Sequence, residues 1–325
     1  MSQFRLLLTA GAVRHTGPEE LARLQAAGIT IVDCPVPSPV SAADMRRLLP
    51  GIDAVWAASD YYSAEALAGA DRLKLIVRWG VGIDTIDLDA ATRAGVIIAN
   101  TPGMTTDSVA DYAFGLMLDL ARHLTEAHTL LRAGHWRGIW GVDVWRKTLG
   151  IIGLGHIGQG MARRAQGFAM RVLAYDPYVS AEAARAVNAE LVPLPTLLKQ
   201  ADFVSLHANL TPETRGLLGA AELRQMRPDA YLINCGRGAL VETSALVRAL
   251  QEGWIAGAAV DVYDEEPVPP DHPLLALPNC LTLPHCASSS LECARLINRA
   301  CADAILAVHR GEVPRFVCNP EVLRR

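Results

Sequence analysis

Three polar residues, Arg237, Glu266 and His285, each lie at the end of an apolar stretch of the sequence or just beyond one. In a parallel sheet, the carboxyl ends of the strands are where ligands bind and catalytic groups gather. An arginine fork can hold a carboxylate, histidine exchanges protons near neutral pH, and a neighbouring glutamate favours and orients the imidazolium. These are the groups that reduction of a 2-keto acid requires: a cation for the carboxylate, a proton donor for the carbonyl oxygen and an acid that tunes this donor.

The same residues also have ordinary structural explanations. Arg237 could form a structural ion pair, and Glu266 could be a solvated loop acid beside Asp264 and Glu265. His285 could be a satisfied residue at a strand end. Spacing alone leaves the catalytic and the structural interpretations of these three residues open.

A second group of residues predicts a dinucleotide site. Gly153, Gly155 and Gly158 form a Gly-x-Gly-x-x-Gly turn between an apolar strand at 148–153 and a helical pattern at 157–168. The first glycine allows a tight turn, the second lets the backbone approach phosphate, and the third lets helix and strand pack closely. The helix N-terminus adds amide donors and partial positive charge. An ordinary glycine turn is the alternative.

Asp176 indicates which dinucleotide is bound. It ends the next predicted strand, at 170–175, where a carboxylate can bind both hydroxyls of an adenosine ribose. Pro177 follows it, and no arginine adjoins it to bind a 2′-phosphate. The sequence therefore predicts NAD as the cofactor.

The elements that must position these groups alternate between strand and helix along the chain. Strands that are apolar throughout are typical of parallel sheets covered by helices on both faces. One continuous helix is predicted from Thr106 to Arg132 and a final one from Ser288 to His309. The remaining predicted strands cover residues 5–9, 30–34, 54–58, 73–79, 96–100, 203–207, 230–234, 257–261 and 280–283.

The position of the glycine turn near the middle of the chain predicts a discontinuous organisation. We expect an α/β fold of two doubly wound parallel-sheet domains. A flavodoxin-like substrate-binding domain is expected from 1–103 plus 287–325, and a Rossmann NAD-binding domain from 104–286. Because ligands bind beyond the carboxyl ends of such strands, an active-site cleft is expected between the two domains.

Composition excludes several other classes of protein. The 325 residues suffice for two domains of ordinary size, and the formal net charge of −4 argues against a nucleic-acid partner. No apolar run has the length of a membrane span, and the N-terminus lacks the layout of a signal peptide. Seven cysteines without a Cys-x-x-Cys pair predict free thiols, no metal site and a cytoplasmic location.

With these motifs in view, the sequence resembles the D-isomer-specific 2-hydroxyacid dehydrogenases, close to the phosphoglycerate dehydrogenase and glyoxylate/hydroxypyruvate reductase branches. The likeness covers nearly the whole chain. It implies hydride transfer between NAD(H) and a short D-2-hydroxy acid or 2-keto acid, and D-stereospecificity rests on the resemblance alone. The most specific segments are 78–84, 147–158 with Asp176, 234–238, and 261–267 with Pro284 and His285.

The resemblance implies catalytic roles for the arginine, glutamate and histidine described above. It implies that the backbone amides of Val81 and Gly82 hold the substrate carboxylate with Arg237, and that Asp261 holds the nicotinamide carboxamide. Arg78 matches a position near the substrate's phosphate in phosphoglycerate dehydrogenases, with a structural arginine as the alternative. The other residues implied to line the cofactor site are Thr101, His156, Ile157, Cys235 and Gly236.

Trp136 and Trp140 resemble a segment that reaches a partner's active site in some relatives, which implies a homodimer. Ordinary core or interface aromatics are the alternative. The chain departs from the family pattern at 105–111, Asn209 and 286–288, which affects substrate specificity and fine cofactor geometry but removes no catalytic group. A non-catalytic NAD-sensing protein, like the corepressor relatives of the family, is the alternative function.

Overall fold

The computed structural model describes residues 3–324, which group into two compact units. Unit 1 comprises the described residues up to Thr105 together with those from Ser289 onward, and unit 2 runs from Thr106 to Ser288. Each unit contains one sheet, of five and seven strands, and all the strand pairs are parallel. The predicted fold class, two parallel-sheet α/β domains, is confirmed.

Unit 1 has its strand order reversed at the sheet centre, as in other doubly wound folds. Its strands are β1 Arg5–Leu8, β2 Thr30–Asp33, β3 Ala54–Ala57, β4 Leu75–Arg78 and β5 Ile97–Ala99. They lie in the order β2-β1-β3-β4-β5. Its helices are α1 Val13–Thr16, α2 Pro18–Ala26, α3 Ala42–Leu48, α4 Ala64–Leu67, α5 Leu88–Arg93 and a C-terminal helix, Leu291–His309.

Apolar layers cover both faces of this sheet, because alternate residues of each strand point to opposite sides. Leu6 of β1 belongs to the layer that contains Ile297 and Ile305 of the C-terminal helix, and all three are fully buried. Leu7 belongs to the opposite layer, with Met45 of α3. The core of unit 1 is therefore assembled from both ends of the chain.

Unit 2 is a seven-stranded Rossmann-type sheet whose strands lie in the order β12-β11-β10-β9-β6-β7-β8. One strand, β8, was not predicted, because three residues with an exposed glutamate at the centre show no apolar run. The strands are β6 Thr148–Ile152, β7 Arg171–Tyr175, β8 Ala189–Leu191, β9 Phe203–Leu206, β10 Tyr231–Asn234, β11 Gly257–Val260 and β12 Cys280–Thr282.

Seven α-helices belong to the part of unit 2 that the structure describes, and one of them, Leu124–Arg132, has no buried residue. Short 3₁₀ turns follow β10 and β11, at Gly238–Leu240 and Pro273–Ala276. No helix within residues 3–324 has both the length and the apolar character that crossing a membrane requires. The helices are α6 Thr106–Arg122, α7 Leu124–Arg132, α8 His156–Gln166, α9 Ala181–Arg185, α10 Leu194–Gln200, α11 Ala220–Leu223 and α12 Thr243–Gln251.

The prediction of one continuous helix over 106–132 is wrong. His123 adopts a left-handed backbone conformation (φ 54°) that ends α6 and starts α7. The Asp119 carboxylate accepts hydrogen bonds from the Thr125 amide, at 2.8 Å, and from the Thr125 hydroxyl, so it satisfies the first turn of α7. None of the nine residues of α7 is buried. The apolar spacing runs across the break, so periodicity could not reveal it.

Candidate active site

Glu266 and His285 come together in unit 2, beyond the carboxyl ends of β11 and β12. Nδ1 of His285 lies 2.6 Å from Oε2 of Glu266, and Oε1 of Glu266 accepts a hydrogen bond from the Tyr263 amide at 3.0 Å. The side chains of His285 and Glu266 remain 40% and 31% exposed, so a small molecule can reach them. With Nδ1 bonded to Glu266, Nε2 of the ring is the nitrogen left to meet a substrate.

The environment of Glu266 keeps its carboxylate ionised. Partial burial tends to raise the pKa of Glu266, but the hydrogen bond and charge of His285 outweigh this effect. The Tyr263 amide and the charge of Arg237 lower the pKa further, so it lies below the ordinary value for glutamate. An ionised carboxylate in contact with Nδ1 fixes the orientation of the imidazole ring.

The turn that carries His285 has a left-handed backbone at that residue (φ 52°), which costs energy for any side chain other than glycine. Asp261, fully buried at the end of β11, holds the turn by accepting bonds from the Cys286 and Ala287 amides at 2.9 and 2.8 Å. Burial raises the pKa of Asp261, and the two amides partly offset this effect. Tyr112 of α6, which sequence reasoning missed, also contacts this turn: its hydroxyl lies 2.9 Å from Cys286 Sγ.

Arg237 follows β10 in a turn that is clamped by Asn234. Nδ2 of Asn234 donates to the Arg237 carbonyl at 2.9 Å, and Oδ1 accepts from the Gly236 amide at 3.1 Å. The guanidinium of Arg237 donates from Nη1 to the Gly236 carbonyl at 2.8 Å and is half-buried. Asn234, only 2% exposed, was not predicted as a site residue. The sequence feature that could have identified Asn234 is its position: an amide side chain at the end of an apolar strand, directly before Cys235 and Gly236.

The glycine turn after β6 has the shape that a dinucleotide pyrophosphate needs. Gly153 has a φ of 90°, and a Cβ added there would lie 2.5 Å from the Ala208 amide nitrogen. A Cβ on Gly158 would lie 2.1 Å from the Gly153 carbonyl oxygen, whereas one on Gly155 would meet no protein atom within 4 Å. The space beside Gly155 and the uncapped N-terminus of α8, which starts at His156, suit a phosphate.

Asp176 lies beside this turn, as a ribose-binding carboxylate should. Its Oδ2 accepts a bond from the Leu154 amide at 2.8 Å, and its Oδ1 accepts from the amides of Tyr178 and Val179 at 2.9 and 3.2 Å. A carboxylate has about four acceptor sites, so one remains for a ribose hydroxyl. Ile157, in the first turn of α8, is half-buried against the core.

The other residues that the resemblance assigned to the cofactor in unit 2 lie along the same strand ends. His156 is exposed at the start of α8. Cys235, directly after β10, is buried, and this burial raises the pKa of its thiol above the usual range. Gly236 follows it, where an added Cβ would lie 3.0 Å from the Leu240 side chain. The donors and shapes along this edge fit NAD.

Unit 1 contains the remaining predicted residues, after β4 and β5. Arg78 donates from Nη2 to the Ser59 hydroxyl at 2.8 Å and from Nη1 to the Trp79 carbonyl at 2.6 Å. Its guanidinium also lies near the next turn, since a Cβ on Gly80 would be 3.6 Å from Nη1. Arg78 is therefore tied into the loop that follows its own strand.

That loop presents two backbone amides. The Thr101 hydroxyl and amide both donate to the Gly80 carbonyl, at 3.0 and 3.1 Å, and the Asn100 side chain donates to the Val81 carbonyl at 2.8 Å. Within residues 3–324, neither the Val81 amide nor the Gly82 amide donates a hydrogen bond. Two such donors on a loop held by its carbonyls can bind a carboxylate.

Comparison with known proteins identifies the family. The model for "D-isomer specific 2-hydroxyacid dehydrogenase, NAD binding domain" matches residues 114–287. The chain is 43% identical over 272 residues to a glyoxylate reductase of Korarchaeum cryptofilum, covering 82% of each chain. It is 42% identical over 258 residues to a D-3-phosphoglycerate dehydrogenase of Methanocaldococcus jannaschii, covering 78% of this chain and 49% of that one.

Solved structures agree in fold over nearly the whole chain. The TT0316 protein from Thermus thermophilus has a TM-score of 0.87 at 35% identity, covering 97% of this chain and 100% of that one. A glyoxylate reductase from Paecilomyes thermophila has a TM-score of 0.85 at 29% identity, covering 98% and 99%. These findings confirm the predicted cofactor, NAD, and they support an enzyme, not the alternative of a non-catalytic NAD-sensing protein. The chain belongs to the D-isomer specific 2-hydroxyacid dehydrogenase family and is an NAD-dependent 2-hydroxyacid oxidoreductase.

Proposed function

We propose that this enzyme reduces short 2-keto acids of the glyoxylate and hydroxypyruvate type to D-2-hydroxy acids, with Arg237, Glu266 and His285 as its catalytic residues. The observation that carries this proposal is the 2.6 Å contact between His285 and an ionised Glu266 at the accessible edge of the NAD-binding unit. Such a pair is the expected arrangement for a histidine that donates a proton near neutral pH.

NAD(H), when bound, supplies or accepts the hydride. In the reducing direction, the chain's own groups hold the keto acid and move one proton. Arg237 binds the substrate carboxylate. His285 donates a proton from Nε2 to the carbonyl oxygen, while Glu266 stabilises the imidazolium before the transfer and orients the ring throughout.

We propose that two parts of the chain bind the cofactor and the substrate separately. Residues 104–286 bind NAD, and the glycine turn, Asp176 and Asp261 support this role by their geometry. Residues 1–103 with 287–325 contribute the substrate-binding amides. All seven cysteines are free thiols, which supports a reducing compartment such as the cytoplasm.

The preference for a small keto acid over a phosphorylated one rests on two observations. Both Nη atoms of Arg78 already bond to neighbours in unit 1, the Ser59 hydroxyl and the Trp79 carbonyl, so this cation is held in place as a part of the loop. Moreover, the relatives named glyoxylate reductase match over most of their length, whereas the phosphoglycerate dehydrogenase relative is matched over 49%.

A panel of substrates tests this proposal. NADH oxidation is followed with glyoxylate, hydroxypyruvate, pyruvate and 3-phosphohydroxypyruvate. We expect the highest kcat/KM with glyoxylate or hydroxypyruvate, and at least tenfold less with the phosphorylated acid. A preference for 3-phosphohydroxypyruvate that disappears in Arg78→Gln would instead assign Arg78 to a substrate phosphate, and a lack of turnover with all four acids would refute the proposed substrate class.

We also propose that the enzyme is a homodimer that associates through α7 and the loop after it. Trp136 and Trp140 in this loop are 93% and 97% exposed, and Leu124 and Leu131 of α7 are more than half exposed. Apolar side chains clustered in this way mark protein interfaces, and tryptophan is enriched in them.

Light scattering coupled to size-exclusion chromatography tests the dimer. We expect twice the 34.9 kDa mass of one chain for the unmodified enzyme, and a shift toward one chain mass in the double variant Trp136→Ser, Trp140→Ser. Tyr178→Ser is the matched control, because that aromatic side chain is 91% exposed elsewhere in unit 2. A single chain mass in the unmodified enzyme would refute the proposal.

A further inference from the structure

Beside the acid–base pair lies a chain of three hydrogen-bonding side chains. Asp261 is the member to which the family resemblance gives a role, and Tyr112 and Cys286 have none from the resemblance or from the sequence motifs. The Tyr112 hydroxyl, on α6, lies 2.9 Å from Sγ of Cys286. The Cys286 thiol in turn donates to Oδ1 of Asp261, with Sγ 3.7 Å from that oxygen. The three side chains come from three separate places in unit 2: α6, the turn after β12, and the end of β11.

Cys286 is the residue that follows His285, so whatever fixes Cys286 also fixes the catalytic turn. Its amide already donates to Asp261 at 2.9 Å, and the next amide, of Ala287, donates to the other oxygen at 2.8 Å. These bonds hold the turn from the strand side. The contact with Tyr112 holds it from the helix side, and α6 packs against β10 and β11.

Chemistry sets the direction of the bonds in this chain. An ionised Asp261 can only accept, so the Cys286 thiol donates to it and the sulfur is left to accept from the Tyr112 hydroxyl. Burial, the bond to Cys286 and the charge of Asp261 all raise the pKa of Tyr112 above its usual range. The phenol therefore keeps its proton at any working pH and remains a donor.

A left-handed residue persists only where its surroundings hold it in place. We propose that Tyr112 and Cys286 are positioning residues for this reaction: their side-chain bond holds the left-handed turn that aims His285 at Glu266 and at the substrate. The inference rests on the proposed role of His285 as the proton donor. Neither side chain touches the reacting atoms, so their effect passes through the position of the imidazole.

Four variants test this role: Tyr112→Phe, which removes only the hydroxyl, Cys286→Ala, Cys286→Ser, and the double variant Tyr112→Phe, Cys286→Ala. Rates are measured per NADH-binding site, so that unfolded protein does not count. Loss of one neutral hydrogen bond corresponds to a factor of roughly 2–10. We expect each of Tyr112→Phe and Cys286→Ala to lower kcat by about 3–10-fold while the KM for the keto acid and the affinity for NADH stay within about twofold.

The kcat of the double variant distinguishes a shared positioning role of Tyr112 and Cys286 from two independent packing effects. We expect the double variant to be no slower than the slower single variant, because one bond is lost in both, and we expect Cys286→Ser to recover most of kcat. Tyr231→Phe and Cys280→Ala, which change a tyrosine and a cysteine elsewhere on the sheet, should leave kcat unchanged. Effects that multiply in the double variant, or that fall on KM and not on kcat, would overturn the proposal.

A second readout does not depend on turnover. In protein labelled with ¹³C at the Cε1 atoms of its histidines, the His285 signal is assigned by its loss in His285→Gln. Tyr112→Phe and Cys286→Ala should shift that signal and leave the signal of His15, in unit 1, unmoved. An unmoved His285 signal would overturn the positioning role alone, whereas a shifted signal in an enzyme that reduces none of the keto acids would refute only the proposed function.

Discussion

Two parts of the same sheet edge in unit 2 hold their charged groups by different means. The first, called here the glycine half, comprises Gly153–Gly158 and Asp176, at the ends of β6 and β7. It is built from backbone amides, and its one carboxylate is itself held by backbone amides. The second, called here the acid–base half, comprises Asp261, Glu266 and His285, at the ends of β11 and β12.

In the acid–base half, a bond between two side chains, Glu266 and His285, is added to bonds from backbone amides, and His285 lies on a turn with a left-handed backbone. Glu266 and His285 are 19 residues apart in sequence, and the outer contact of Tyr112 with Cys286 spans 174 residues. Substitutions of Gly153 or Gly158 in the glycine half are expected to abolish NAD binding by steric exclusion, since an added Cβ meets backbone atoms at both positions. Substitutions around the acid–base half are expected to lower kcat gradually, because each one changes the orientation of the catalytic side chains.

The largest effect is expected at His285 itself. His285→Ala removes the proton donor and should lower kcat by about 10²–10⁴-fold, the usual contribution of a general acid. The affinity for NADH, measured by fluorescence titration, should stay unchanged because the glycine half is intact. His15→Ala, an exposed histidine of unit 1, is the control. Near-normal turnover in the His285 variant would show that His285 is not the proton donor and that the acid–base half is not catalytic.

Arg237→Ala is expected to have the next largest effect. Loss of charge-assisted hydrogen bonds to the substrate carboxylate, worth about 1.5–3 kcal/mol, should lower kcat/KM for the keto acid by about 10–100-fold. Arg185→Ala, an exposed arginine of α9, should have no effect in the same steady-state assay. An equal kcat/KM in the Arg237 variant and the unmodified enzyme would mean that another cation binds the substrate.

In the glycine half, Asp176 should decide between NAD and NADP. Asp176→Ala removes a negative charge from the ribose site and should raise the ratio of NADPH to NADH kcat/KM by about tenfold, which corresponds to roughly 1.4 kcal/mol. Asp176→Asn keeps an acceptor for the Leu154 amide while removing the charge. If the asparagine variant keeps the original ratio, the local fold and not the charge selects the cofactor.

The smallest effect concerns His207, directly after β9, which is one of the two strands between the two halves. Burial lowers the pKa of His207 to about 4, and Nε2 contacts the Ser205 hydroxyl at 2.8 Å. The unfolded chain binds a proton near pH 6.5. The folded state binds that proton only near pH 4. The neutral ring therefore makes its full contribution to the free energy of unfolding above pH 6.5, and this contribution is lost as the pH falls from 6.5 toward 4.

His207→Gln should therefore flatten the pH dependence of stability. Between pH 7 and pH 5, we expect the unmodified enzyme to lose about 1–2 kcal/mol more unfolding free energy than the variant, in urea titrations at each pH. His15→Gln, at an exposed position, should follow the unmodified enzyme. Equal losses in His207→Gln and the unmodified enzyme would show that His207 does not titrate differently on folding.

The same contrast explains which features the sequence reveals. The turn from Gly153 to Gly158 could be predicted because its geometry depends on neighbours along the chain, and most strands could be predicted from uninterrupted apolar runs. Arg237, Glu266 and His285 could be chosen as candidates from their places at strand ends, but their catalytic roles are implied by the family resemblance, because which strand ends are neighbours depends on strand order. The contact of Tyr112 with Cys286 left no local signal, since a tyrosine at helical spacing is indistinguishable from a core residue.

The discontinuous core of unit 1 has a consequence for how the protein is made. A ribosome delivers β1 to β5 before the helix Leu291–His309, so one face of their sheet, which α1 and α2 cover in part, lacks Ile297, Ile305 and their neighbours until that helix emerges. All of unit 2 emerges in the meantime and can fold before unit 1 is complete. The nascent chain therefore carries an incompletely covered apolar surface on β1 to β5 until the helix Leu291–His309 emerges, and aggregation during synthesis is expected to begin at these strands.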